Sequence, residues 1–263
     1  MRKPLAIATM TRATTEEEAA RLFEGLTYLC ALNVPVFVTD NSQHPSLALS
    51  IETLPNLHFV RERSGMVPRI CNSLRRAAAE RPDVIIYTEP DKLSFFRTGI
   101  NQLLTTAGQN PSSLVIAARD ECSFATIPSG QRMLESMTRQ IVSCFLGHDI
   151  DLQFGPFAMP CPAVERYLPQ VRTEFGWGWR TYLIARCLMG GEPLVVCEGR
   201  FPAPEWNRHE DDGPSRLYRL QQFIESVEGI RQGILSSHKP SSPGRRKPSP
   251  ERPQIASQAD EGF

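Results

Sequence analysis

Short apolar runs alternate with helix-period stretches through the first 120 residues. "LAIATM" reads as a strand. In "TTEEEAARLFEGLTYL", Thr15 and Glu18 make a capping box, and Leu22, Leu26 and Leu29 fall on one helical face. "VPVFVTD" and "LHFVRE" are two further strands, and "PRICNSLRRAAAE" is a helix that stops before Pro82. A strand then runs into "DVIIYTEPD", followed by a helix through Phe96, Ile100 and Leu103 and by the strand "SLVIAAR". Strands joined by helix-length crossovers predict an α/β fold with a mostly parallel central sheet flanked by helices.

The second half is more mixed. "QRMLESMTRQIVSCFLG" predicts a helix burying Leu134, Met137, Ile141 and Phe145, and "FGPFAM" and "PLVVCEGRF" predict strands. "GWGWRTYLIARCLMG" is a glycine-bounded helix, and a last amphipathic helix carries Leu217, Leu220, Ile224 and Val227. From Ser236 the chain turns to proline, serine and charge, too poor in apolar residues to offset the entropy of ordering. The expected organisation is one domain over residues 1–235, with a nucleotide-binding half (1–120) and an acceptor half (121–235), then a disordered tail (236–263).

The 263 residues carry 29 Lys plus Arg against 29 Asp plus Glu, so no global field draws the chain to nucleic acid or an anionic membrane. Seven dispersed cysteines without a Cys-x-x-Cys pair fit a reducing cytoplasm and no structural zinc. No apolar run approaches the roughly 20 residues of a transmembrane segment, and "MRKPLAIATM" runs straight into "TRATTEEE", unlike a secretory leader. A P-loop lysine, Gly-x-Gly-x-x-Gly and Gly-x-Ser-x-Gly are all absent.

The candidate chemistry lies at strand ends, where open α/β sheets bind ligands. Asp40 ends "VFVTD"; Glu89 and Asp91 end "IIYTEPD", with Pro90 fixing one torsion between them. Two carboxylates so placed suit Mn²⁺ or Mg²⁺, although a solvated turn with Asp91 as a helix cap gives the same pattern. Arg119, at another strand end, has the fork of donors that grips a diphosphate, or it makes a structural ion pair. Trp177 and Trp179 are open to sugar stacking or to interior packing. Asp211 and Asp212 can cap the last helix, with Pro214 in its first turn.

"RERSGMVPRICNSLRRAAAERPDVIIYTEPDK" resembles the core of the GT-A fold nucleotide-diphospho-sugar glycosyltransferases, family 2-like, with Glu89 in place of the more usual first aspartate of their Asp-x-Asp. "LAIATM" and "VFVTDNS" resemble that family's opening βαβ unit, and the likeness in element order runs from residue 4 to 205. It implies transfer of a sugar from a nucleoside-diphosphate sugar donor to an acceptor the sequence does not identify. Asp40 would read the base and ribose, Arg69 the base or diphosphate, Arg119 the phosphates, and Glu89 and Asp91 the divalent ion, with His209 as a third ligand.

"FGPFAMP" and "EFGWGWRTYL" resemble the family's acceptor-side segment, where inverting members place a Glu-Asp pair and use one acid as base. Arg180 and Thr181 stand there instead, which leaves Glu174, Asp149 or Asp151 as substitutes, or a retaining reaction that needs no such base. Trp177 and Glu174 would line the sugar and acceptor site. A GT-A-like protein that binds without turnover, or a nucleotidyl transferase, are the competing readings.

Overall fold

The computed structural model describes residues 4–205, 208 and 212–237. Its strands are β1 (Leu5–Thr11), β2 (Val36–Asp40), β3 (Leu57–Arg61), β4 (Val84–Tyr87), β5 (Leu114–Arg119), β6 (Phe157–Pro160) and β7 (Leu194–Gly199). The helices are α1 (Glu16–Cys30), α2 (Pro45–Ile51), α3 (Met66–Ala79), α4 (Leu93–Thr98), α5 (Ile100–Gln109), α6 (Glu121–Phe124), α7 (Ser129–Leu146), α8 (Cys161–Tyr167), α9 (Gly178–Gly190) and α10 (Gly213–Ser237). The strands form one sheet in the order β3-β2-β1-β4-β6-β5-β7, parallel except for β6, which runs antiparallel between β4 and β5.

Alternation along the strands sends side chains into two cores. Ile7, Val36, Val38, Val84 and Ile86 pack beneath α1, α4 and α5, while Ala6, Ala8, Phe37, Ile85 and Tyr87 pack beneath α3, α8 and α9. A sheet covered on both faces needs apolar residues on both, which is why its central strands read as unbroken apolar runs. The Thr15–Glu18 capping box starts α1 as expected. Gly99 divides the helix expected through Phe96, Ile100 and Leu103 into α4 and α5. The short α2, whose first residue is Pro45, was not expected from the pattern.

Two helix faces differ from expectation. On α7 the buried residues are Gln131, Thr138 and Val142, whereas Met137 and Phe145 are exposed. On α10 the buried residues are Ser226, Gly229, Ile230 and Gly233, whereas Leu217, Leu220 and Ile224 are exposed. Close backbone approach explains α10: a Cβ on Gly229 would stand 2.1 Å from the Gly178 carbonyl oxygen, and Thr181 Oγ1 donates to the Ser226 carbonyl at 2.7 Å. Small residues therefore win the contact with α9, and the larger ones are turned out. Helix α10 continues through Ser237, so the expected tail boundary at Ser236 falls inside it; residues 238–263 lie outside the described residues. No helix among the described residues is long and apolar enough to cross a membrane.

Candidate active site

The end of β4 sits at the centre of the sheet, between β1 and β6. The Thr9 hydroxyl donates to the Thr88 carbonyl at 2.6 Å, and the Lys92 amide closes a turn onto the Glu89 carbonyl at 3.3 Å. Helix α1 lies directly on this turn: a Cβ on Gly25 would come within 1.8 Å of the Pro90 carbonyl oxygen. Glu89, Asp91 and Lys92 project from the turn into a cleft of about 270 Å³. Asp91 does not cap α4, whose start has no side-chain cap.

The opposite walls come from the second half of the chain, residues 121–235. Helix α7 supplies Gln131 and Glu135, the segment before β6 supplies Gln153, and the start of α9 supplies Trp177 and Arg180. Helix α10 supplies Tyr218, Arg219 and Gln222. Glu225 fixes the Trp177 turn by accepting its backbone N–H at 2.7 Å, and the Trp177 and Tyr218 rings meet edge to face with centroids 6.4 Å apart. Trp179 is instead interior, 4.7 Å from the Tyr87 ring, so the two tryptophans divide between cleft and core.

Several polar atoms here are buried without a hydrogen-bond partner: Glu89 Oε2, Asp91 Oδ1, Arg180 Nε and the Tyr87 hydroxyl. Such atoms carry a desolvation cost that a ligand, ion or water offsets when bound. Burial, and then the charge of Glu89, raise the Tyr87 pKa well above its ordinary value, keeping it a neutral phenol. Arg180 Nη1 donates to Glu89 Oε1 at 3.0 Å, and Nη2 donates to the Gln153 side-chain oxygen at 3.2 Å. Glu89 is thus half engaged.

Two carboxylates, each with one buried, unpartnered oxygen on the same cleft, fit a hard divalent cation as a pair of ligands. His209, the expected third ligand, lies outside the described residues. Among the described residues no group of three or more His, Cys, Asp or Glu side chains assembles to hold a metal.

Asp40 and Arg69 form a neighbouring cluster around the ends of β1 and β2. Asp40 Oδ1 accepts from the Thr11 hydroxyl at 2.7 Å and from the Ser42 amide at 3.0 Å, while its Oδ2 is buried and unpartnered. Arg69 Nη1 donates to the Thr11 carbonyl at 2.8 Å and Nε to the Gly65 carbonyl at 3.3 Å. Burial, and then the charge of Arg12, lower its pKa. Both side chains are fully enclosed and do not line the cleft.

Three expected roles meet a different geometry. Arg119 donates to Asp151 at 2.7 and 3.0 Å and also to Glu135, so its fork is taken up by carboxylates in a buried ion pair. Burial opposes its charge, yet Glu135 and Asp151 together hold its pKa above the ordinary value. Asp151 is correspondingly buried, with both oxygens on Arg119, which does not leave it free to serve as a base. Glu174 is exposed on the 173–175 turn and does not line the cleft; Asp149 is exposed and paired with Arg139.

The structure adds Arg180, Glu135, Gln131, Gln153, Tyr218 and Gln222 to the cleft residues expected. A signal for the α7 pair was present: Gln131, Glu135 and Thr138 recur at helical spacing, a polar stripe beside the apolar one.

The fold is GT-A-like. The chain is similar to mannosyl-3-phosphoglycerate synthase from Rubrobacter xylanophilus over 95% of its own length and 79% of that chain, with TM-score 0.57 and 12% identity. It is similar to glucosyl-3-phosphoglycerate synthase from Mycobacterium tuberculosis in complex with uridine diphosphate, covering 86% of this chain and 80% of that one at TM-score 0.53 and 15% identity. The same enzyme in complex with Mn²⁺, UDP-glucose and phosphoglyceric acid matches with TM-score 0.52, 15% identity and the same coverage, 86% and 80%. No protein-family profile matches the chain, and no curated protein matches it by sequence.

Proposed function

We propose that the protein is a glycosyltransferase that moves a sugar from a nucleoside-diphosphate sugar to an acceptor hydroxyl. The carrying observation is that Glu89 and Asp91, each with one buried, unpartnered carboxylate oxygen, line a cleft together with Trp177, Tyr218 and glutamine side chains. Solved enzymes of like fold that hold UDP, or Mn²⁺ with UDP-glucose, support the donor class.

In this reading Glu89 and Asp91 hold Mn²⁺ or Mg²⁺, which when bound supplies positive charge to the diphosphate. Arg180 and Lys92 add cations to the lining of the same cleft. Charge builds on the β-phosphate oxygen as its bond to the anomeric carbon breaks, so preorganised cations there lower the barrier. Trp177 and Tyr218 offer aromatic faces and edges to the sugar, and Gln131, Gln153 and Gln222 offer amide donors and acceptors to its hydroxyls. Asp40 and Arg69 order the β1–β2 ends against which the nucleoside rests.

The acceptor oxygen bonds to the anomeric carbon, the donor's sugar–phosphate bond breaks, and the hydroxyl proton passes to a carboxylate or to the departing phosphate. Glu135 is the other carboxylate that lines the cleft beside the Glu89–Asp91 pair, and in this reading it is the candidate base in place of Asp151 or Glu174. It is already an acceptor for Arg119 and Gln131. That engagement favours one second reading, binding of a nucleotide sugar without turnover.

The test is product formation from a panel of UDP- and GDP-sugars with Mn²⁺, repeated with Asp91→Ala. We expect the variant to lose at least about a hundredfold in rate. Equal rates would reject the metal assignment, and tight donor binding with no product in either protein would favour the second reading.

A further inference from the structure

We infer that Arg180 competes with the divalent ion for Glu89 in the nucleotide-free protein, so that the ion is admitted together with the donor diphosphate. The inference rests on the glycosyltransferase reading of the cleft and deepens it by assigning control of metal entry to one side chain.

Glu89 has two oxygens, and the fold treats them differently. Oε1 takes the 3.0 Å hydrogen bond from Arg180 Nη1, whereas Oε2 is buried and unpartnered. Both groups of the pair are largely desolvated, with 7% of the Arg180 side chain and 15% of that of Glu89 accessible, so their attraction is only weakly screened. Arg180 is also anchored, because its Nη2 bonds Gln153 at 3.2 Å. The backbone of Gly155 closes the far side: a Cβ there would stand 2.6 Å from Glu89 Oε2 and 3.2 Å from Arg180 Nη1. The pair therefore sits in a fitted seat.

Charge bookkeeping points the same way. Three acids, Glu89, Asp91 and Glu135, and three bases, Lys92, Arg180 and Arg219, line the cleft. A dication entering alone meets no net negative field, and it must share the Glu89 carboxylate with a guanidinium already bonded to its other oxygen. A nucleoside diphosphate changes both conditions, because its oxygens complete the ion's ligand shell and offer Arg180 another anion. Arg180 is thus a positioning residue that acts through Glu89.

The experiment uses the full chain and the metal alone, with Mn²⁺ binding read by electron paramagnetic resonance of the free ion and by calorimetry, without any donor. Arg180→Met is expected to bind Mn²⁺ on the order of tenfold more tightly than the unaltered protein. Arg180→Lys, which keeps a positive charge beside Glu89, is expected to stay within about threefold of it. Unchanged or weaker binding in a folded Arg180→Met protein would overturn the inference.

Should Arg180→Met fail to fold, Glu89→Gln decides the matter. If Arg180 already occupies Glu89, losing that carboxylate costs free Mn²⁺ binding less than about threefold, while Asp91→Asn costs on the order of tenfold or more. A tenfold loss in Glu89→Gln would refute the inference. Neither readout needs turnover, so an inactive enzyme would sink the transferase reading and leave this result standing on its own.

Discussion

Replacing Gly25 by alanine tests whether α1 seats the Glu89–Asp91 turn. In the interior of a helix, alanine is favoured over glycine by about 1 kcal/mol, so a substitution that met nothing would stabilise the protein. Here the new Cβ would stand 1.8 Å from the Pro90 carbonyl oxygen, against about 3.3 Å for a relaxed carbon–oxygen contact. The turn or the helix must therefore retreat by about 1.5 Å. Overpacking of this kind costs about 1–3 kcal/mol, which leaves a net destabilisation of about 0–2 kcal/mol once the helical gain is set against it. Each kcal/mol lowers the melting temperature of a domain this size by about 2–4 °C.

The larger effect falls on the site, because displacing catalytic groups by about 1 Å costs on the order of a hundredfold in rate. Melting curves of Gly25→Ala, with and without Mn²⁺ and a panel of nucleoside diphosphates, separate the two effects. We expect a modest fall in the melting temperature and loss of the Mn²⁺-dependent stabilisation. A variant with a higher melting temperature and an intact ligand shift would refute the idea that the helix backbone positions the carboxylates.

Other perturbations read other parts of the fold. Arg119→Met leaves Asp151 and Glu135 with a buried charge each and no cation between them, and should cost about 3–5 kcal/mol in a denaturant titration. Gly155 has φ +121°, so Gly155→Ala adds backbone strain of about 1–3 kcal/mol and pushes a methyl group against Glu89; the check is weakened Mn²⁺ binding in a protein that still melts cooperatively. Hydrogen bonds from the Thr14 backbone and hydroxyl hold the Glu18 carboxyl below its ordinary pKa of 4.5. Its contribution to stability is therefore full above that value and fades as pH falls through the lower folded one, so the advantage over Glu18→Gln should vanish on acidification. Thr15→Ala, which removes the other half of the capping box, should cost about 1 kcal/mol by chemical denaturation at neutral pH.

The first half of the chain was largely legible because its information is local. The apolar runs at β1, β2, β4 and β5 are buried on both faces, so each announces itself without knowledge of its neighbours. The Thr15–Glu18 cap and the acids at the ends of β2 and β4 are likewise set by adjacent residues. Partnership was not legible. Arg119 and Asp151 are 32 positions apart, and Glu89 and Arg180 are 91 apart, so nothing at either position tells whether a charge meets a ligand or another side chain. Those pairings required the sheet order to be known.

The faces of α7 and α10 were misread for a reason that points back to the cleft. Amphipathic helices are read by placing their apolar stripe inward, on the premise that the interior is a hydrocarbon core. Beside a ligand cleft the interior is polar, and beside a close helix crossing it is small. On α10 both conditions occur along one stripe: Arg219 and Gln222 line the cleft, then Ser226, Gly229 and Gly233 meet α9. On α7, Gln131 and Glu135 face the cleft and Thr138 and Val142 continue the same side. Each helix thus carries a second periodic stripe, polar or small, beside the apolar one. Where two such stripes compete here, the polar or small one takes the inward position, because it meets a polar cleft or a close helix crossing, and its apolar neighbour is turned outward as a consequence.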